Sequence, residues 1–244
     1  MKRIEERYIS LLTDFGFKRI FGTKPNKDLL INFLNSLFDG FQVIKDVKYL
    51  NSEHVGDVIR EQAPKGAEWN FKLEHVYTVA LLNFDLEEEA FDKNDINHDV
   101  GLLDKKTFKV FNDKLSFKYV EIAKFNKTED ELDTLYDKWL YVLKNLSRLD
   151  ERPATLKEKV FTKLFEEAEI AKFTPTELKE YEDSLKAYRD VKNSIDTALE
   201  KGREEGMEKE KLATARRLLS MGLSDEQVST ATELPLKEIQ KMRE

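Results

Sequence analysis

The spacing of apolar residues changes along the chain, and each change predicts an element. Between Thr13 and Gly22, Phe17, Ile20 and Phe21 fall at i, i+3 and i+4, the period of one helix face. Thr13 or Asp14 can cap that helix and Gly22 can end it. Pro25-Asn26-Lys27-Asp28 opens a second helix with Leu29, Leu30, Phe33, Leu34, Leu37 and Phe38 on its apolar face, stopped by Asp39-Gly40. From Phe41 to Leu50 the period drops to two, with Phe41, Val43, Val47 and Tyr49 on one face and Lys45 interrupting it, which predicts a half-buried strand. Asn51 to Asn70 has no strand-like run and reads as loop.

His75 to Leu86 is apolar on both faces, as expected of a strand covered on two sides. After an acidic loop over 86–95, short strands are predicted at Val100–Leu103, Thr107–Phe111 and Leu115–Ile122. Asp104-Lys105-Lys106 and Asn112-Asp113-Lys114 are read as turns that fold them into an antiparallel meander. Beyond Phe125 the pattern is helical. Thr128-Glu129-Asp130-Glu131 is read as the cap of a helix that buries Leu132, Leu135, Trp139, Leu140, Val142, Leu143 and Leu146. Leu156 to Ala171 makes the next helix, and Thr174-Pro175 opens another.

In that last helix Leu178, Tyr181, Leu185, Tyr188, Val191 and Ile195 form a narrow seam, which predicts a helix pair or coiled coil and a homo-oligomer through 178–199. Residues 201–211 are a charged linker or stalk. Three short periodic pieces follow: Leu212 to Met221 ended by Gly222, Ser224 to Leu234 with a Ser224-x-x-Gln227 capping box, and Pro235 to Met242. They are spaced like a helix-turn-helix, with Glu233 where such turns usually carry Gly. A helical hairpin that closes the stalk, or an oligomerisation cap, is the alternative for this module.

Composition narrows the chemistry. With 41 Lys and Arg against 48 Asp and Glu, the net charge is −7, which argues against nucleic-acid coating by bulk positive charge. The N-terminal segment is positive: residues 1–56 carry nine basic and seven acidic side chains. There is no Cys, hence no disulfide frame, thiolate metal site or Cys nucleophile. No apolar run approaches a membrane span, and a cytoplasmic location is expected. His54, His75 and His98 fall in different elements and predict no metal trio. Asp46-Val47-Lys48 reads as a solvent-facing charge pair and Glu61-Gln62 as loop. Glu121-x-x-Lys124 has the wrong period for one strand face.

The decapeptide Thr13-Asp14-Phe15-Gly16-Phe17-Lys18-Arg19-Ile20-Phe21-Gly22 resembles the opening of a bacterial family of recombination-promoting nucleases and transposases in the PD-(D/E)XK nuclease superfamily. The family's wording recurs in Asn26 to Asn35, Trp69-Asn70-Phe71-Lys72-Leu73, Phe125-Asn126-Lys127-Thr128-Glu129 and Asp137 to Leu146. The resemblance implies an α/β fold, a truncated PD-(D/E)XK-like mixed sheet with flanking helices, followed by a mainly α-helical C-terminal half. It divides the chain into an incomplete nuclease core at 1–125, a helical region with the seam at 126–200, the stalk at 201–211 and the small module at 212–244.

In full-length members the resemblance implies Mg2+-dependent DNA cleavage, with an Asp on one strand and a Glu-x-Gln or Glu-x-Lys on the next. Here the first strand leads through Gly56-Asp57-Val58 straight into Ile59-Arg60-Glu61, so the catalytic hairpin and its helix are inferred to be deleted near Gly56 to Ile59. No catalytic or metal-binding residue carries over, no cofactor is expected in this chain, and the loss of two central strands should leave the 75–86 strand short of a neighbour. Marginal stability or dimerisation should follow from that missing neighbour. DNA remains the candidate partner, with Lys18, Arg19, Lys237, Lys241 and Arg243 as candidate contacts. Three readings are open: an inactive member of the family, an active endonuclease with a rebuilt or partner-supplied site, and a non-enzymatic DNA-binding or oligomerisation protein.

Overall fold

The computed structural model describes residues 6–49, 75–86 and 91–242, which divide into two compact units, one ending at Leu185 and the other starting at Lys186. In the first unit α1 (Asp14–Phe21) and α2 (Lys27–Leu37) precede strands β1 (Val76–Leu82), β2 (Asn97–Leu103) and β3 (Val110–Glu121). Helices α3 (Leu135–Asn145) and α4 (Lys159–Ala168) follow, and α5 (Pro175–Ser220) begins there.

α1 forms because Thr13 caps it. Its hydroxyl accepts from the Gly16 N–H at 3.1 Å and donates to the Ser10 carbonyl at 2.8 Å. Gly16 is required by that close approach, since a Cβ there would lie 2.1 Å from the Ser10 oxygen. Ile20 and Phe21 of α1 are buried, as are Leu29, Phe33 and Leu37 of α2, while Phe17 stays 39% exposed. The segment before α1 is tied to distant chain: Ile9 N–H donates to the Ala168 carbonyl, Ile170 N–H to the Arg7 carbonyl, and Ser10 N–H to the Tyr181 hydroxyl.

The strand over 41–50 is not formed where the structure describes it. Residues 41–49 belong to no helix or strand, and Phe41 and Val43 are 74% and 75% exposed. Side chains pin this stretch instead. Asn35 accepts from the Ile44 N–H at 2.7 Å and donates to its carbonyl at 2.9 Å, and the Tyr49 hydroxyl donates to the Phe21 carbonyl at 2.8 Å. Alternation alone makes no strand without a ladder partner.

The sheet among the described residues has the order β1-β3-β2, with β1 parallel to β3 and β2 antiparallel to it. The predicted meander is corrected at one turn. Asn112-Asp113-Lys114 is part of β3 instead of a turn, so β2 and β3 form one antiparallel hairpin, and β1 pairs with β3 in parallel. The turn-forming residues bulge the ladder: Gly101 pairs with Ser116 while Leu102 pairs with Asn112. β1 was expected to be covered on both faces, yet every residue in it is only half-buried.

Glu129 to Glu131 forms only one 3-10 turn, so Thr128 does not open the following helix; that helix starts at Thr134, whose hydroxyl and Asp137 make the capping box. The seam of α5 is divided. Tyr181 and Leu185 are buried in the first unit's own core, whereas Val191, Ile195 and Leu199 are exposed. Residues 201–211 continue the 46-residue α5 as helix. In the second unit the end of α5 packs with α6 (Asp225–Thr232) and α7 (Leu236–Lys241) around Ala215, Val228, Leu234 and Ile239. Ser224 and Gln227 form the expected capping box, and Glu233 takes the left-handed conformation (φ 58°) that usually selects Gly.

Two measurements check this account. Gly16→Ala should lower the unfolding free energy by about 3 kcal/mol, the upper end of the cost of overpacking. Gly202→Ala, on exposed α5 where an added Cβ meets nothing within 4 Å, should raise it by up to about 1 kcal/mol; chemical denaturation reads both. The second concerns Glu177, whose carboxylate accepts from the Thr174 N–H and hydroxyl (both 2.8 Å) and from Arg19 (2.6 Å). Those bonds pull its pKa down from 4.5 to about 2. The folded value is depressed, so the stabilisation is present above the unfolded value and is lost as the pH falls. The stability difference between wild type and Glu177→Gln should be full above pH 4.5 and close as the pH approaches about 2.

Candidate functional site

The most concentrated polar chemistry in the sheet lies at the end of β3. In the β2–β3 ladder His98 stands opposite Tyr119, and Glu121, two residues further, points to the same face. The chain then tightens into a 3-10 turn over Ile122–Lys124, which brings Lys124 back over the carboxylate at i+3. One oxygen of Glu121 accepts from His98 Nε2 at 2.6 Å and Lys124 Nζ at 2.9 Å, and the other accepts from the Leu86 N–H at 2.7 Å. An ionised carboxylate only accepts, so His98 carries its proton on Nε2. Phe91 stacks on the imidazole at 4.1 Å and 15°.

The Glu121 side chain has no solvent exposure and that of His98 has 5%. Burial alone would push the Glu121 carboxyl up. The bonds from Lys124, the Leu86 amide and His98 outweigh it and hold the carboxyl below its ordinary value. The arrangement is a buried, satisfied anion that ties β2, the end of β3 and the turn after β1 together. Sequence reasoning missed it because the Glu121-to-Lys124 interval crosses from strand period to turn period. A visible signal was a lone Glu between two apolar residues, Val120 and Ile122, all three of them buried.

The acidic residue of β2 is elsewhere. Asp99 stands opposite Lys118, pairs with it at 2.5 Å and is 72% exposed. By strand parity it occupies the face opposite Glu121. On that same face Phe38, Tyr77, Gly101 and Lys118 line a groove of about 460 Å3, in which the buried Tyr77 hydroxyl has no partner among the described residues. Asp113, also on β3, is eight residues from Glu121, or about 26 Å along an extended strand. No group of three or more metal-ligating side chains occurs among the described residues.

The candidate DNA contacts are dispersed. Lys18 is exposed on α1 and pairs with Asp14 at 2.9 Å. Arg19 is committed to the fold: it donates to Glu177 at 2.6 Å and to the Glu167 carbonyl at 3.1 Å, and its guanidinium lies 4.4 Å from the Phe173 ring centre. Lys237 and Lys241 are exposed one turn apart on α7, and Arg243 lies outside the described residues. His75 is exposed and stacks on Tyr77, away from His98; His54, Glu61-Gln62 and the stretch Gly56 to Ile59 lie outside the described residues. Asp46 and Lys48 face solvent as read from the sequence, but the ion pair of Asp46 is with Lys27 at 2.6 Å.

No helix among the described residues is long and apolar enough to cross a membrane. Searches of curated proteins and of solved structures each find no match. A family model described as PD-(D/E)XK nuclease family transposase matches residues 11–60 and 55–198. The first segment carries α1 and α2, and the second carries all three described strands, α3, α4 and the first half of α5. The match thus spans the mixed sheet and the helices packed beside it, well over half of the chain, and by that coverage the chain belongs to the PD-(D/E)XK nuclease family transposases.

Proposed function

We propose that this chain is a member of the family that has kept the nuclease scaffold and contact with DNA but not Mg2+-dependent strand cleavage. The observation that carries the reading is the divergence of the carboxylates on β2 and β3. Mg2+ takes a near-octahedral set of oxygens, anchored by one or two carboxylates beside water and phosphate. Glu121 has both oxygens engaged and no exposure, and Asp99 stands on the other face of the sheet. Among the described residues the strand carboxylates therefore do not fit the ion. The two matched segments meet at residues 55–60, where the missing catalytic hairpin is inferred, and this supports the same reading.

Contact with DNA is assigned to the second unit. Lys237 and Lys241 present two cations on one exposed face of α7, and Arg243 follows in sequence. In a chain of net charge −7 such contact is local and weakens steeply with salt. Self-association is assigned to α5, where Val191, Ile195 and Leu199 step by four and are all exposed; Tyr181 and Leu185 are not available for it, being buried in the first unit.

Purified protein incubated with supercoiled plasmid and Mg2+ is expected to give no nicking. EDTA-sensitive nicking that co-elutes with the protein would overturn the non-cutting reading. A duplex of about 30 base pairs should shift at low ionic strength and lose the shift with Lys237→Glu/Lys241→Glu; an unchanged shift in that variant removes α7 from the interface. Sedimentation equilibrium should give a mass above that of one chain, reduced to one chain by Ile195→Glu/Leu199→Glu.

A further inference from the structure

The β2–β3 hairpin carries a surface that neither the fold nor the family accounts for. Every residue from Gly101 to Phe111 is exposed, on both faces of the ribbon. Five of them are large and apolar: Leu102, Leu103, Phe108, Val110 and Phe111, the two Phe at 79% and 78% exposure. Single exposed apolar residues are ordinary, but a contiguous set usually marks an interaction site. Lysines are interleaved with them at 105, 106, 109 and 114, against Asp104 and Asp113. Lys105, Lys106 and Lys109 are exposed and form no ion pair among the described residues.

The tip is built to hold its shape. Asp104 N–H donates to the Lys109 carbonyl at 2.9 Å and Phe108 N–H to the Asp104 carbonyl at 2.8 Å. The Asp104 carboxylate accepts from the Thr107 N–H at 2.7 Å, the Thr107 hydroxyl at 2.8 Å and the Lys106 N–H at 3.1 Å. This turn forces Phe108 to φ 53°, the left-handed conformation that hairpin loops usually give to Gly or Asn. A bulky ring in that position gains nothing from packing, being almost wholly in water. Its presence is explained by what it presents outward.

We propose that the hairpin tip is a docking site for single-stranded nucleic acid, with Phe108 and Phe111 as stacking platforms for bases and Lys105, Lys106 and Lys109 as phosphate contacts. The choice of partner follows from chemistry. Aromatic faces between unpaired cations match a polyanion with exposed π faces. Bases in a duplex are stacked and keep those faces closed, and a second hairpin of the same sequence would bring lysine against lysine. This extends contact with DNA to a second site and rests on the proposed function only for the class of partner.

Fluorescence anisotropy with labelled oligo(dT) of about 15 nucleotides tests it. The full chain should bind at low salt. Phe108→Gly and Phe111→Ser should each weaken binding about tenfold, in line with loss of one stacked base. Lys105→Ala/Lys106→Ala should lower the slope of log affinity against log salt by roughly 0.7 per lysine. Phe108→Gly should melt no lower than wild type, because Gly accepts the positive φ. If Phe108→Gly melts lower, Phe111→Ser and the lysine pair decide. Absence of oligo(dT) binding, or binding indifferent to all three variants, overturns the proposal. So does tip-dependent binding to phosphatidylserine vesicles without binding to oligo(dT), which would make the site a membrane contact. Lys237→Glu/Lys241→Glu should leave oligo(dT) affinity within about twofold, so failure at α7 and failure at the hairpin are read separately.

Discussion

Trp139 stands where four helices meet, and the position of each depends on it. Its ring centre lies 5.7 Å from Phe21 of α1, 5.6 Å from Phe33 of α2 and 5.1 Å from Phe161 of α4, while Trp139 itself belongs to α3. A fully buried indole would cost a lost hydrogen bond if its N–H had no acceptor. The half-buried Asn32 of α2 supplies one at 2.8 Å. Fixing α1 in this way also fixes Arg19, whose bonds to Glu177 and to the Glu167 carbonyl set the start of α5 against the end of α4. One aromatic contact thus propagates through a charged one to the rest of the first unit.

What was legible in the sequence follows from where the information resides. Helices declared themselves by period and cap: α1 through Thr13 and its Phe and Ile spacing, α2 through Leu29, Phe33 and Leu37, α6 through Ser224 and Gln227. These are local relations, written within one or two turns. The strand over 41–50 failed because a ladder is made by two segments and the sequence shows one. Asn112-Asp113-Lys114 failed for a related reason. The Asn112 side chain accepts from the Lys114 N–H at 2.7 Å as a turn would have it, yet pairing on either side carries the strand through and turns the kink into a bulge.

The polar cluster was hidden more deeply. His98 and Glu121 meet only because of the β2–β3 register, and Lys124 joins them only because the strand gives way to a 3-10 turn. Register decides the chemistry in the other direction too, since it puts Asp99 on the face away from Glu121. A carboxylate fit to hold a metal needs free oxygens facing water or phosphate. Glu121 is instead compensated from within, by one backbone amide and two side chains, and removal of any one donor would leave part of a buried charge unpaired.

The same distinction between engaged and available groups governs the cations. Counting Lys and Arg says little about where an anionic partner can land. Arg19 is held by α5 and by the Phe173 ring, Lys124 by Glu121, and Lys144 by the Ala123 and Phe125 carbonyls at 2.8 and 2.6 Å. Arg19 was a candidate contact by sequence, and each of the three closes a turn or a helix junction in the fold. The lysines at 105, 106, 109, 237 and 241 are different: they sit at the hairpin tip and on α7, exposed and without a carboxylate partner among the described residues. What an anionic partner would meet at the hairpin tip or on α7 is thus a matter of which local cations are free, and not of the net charge.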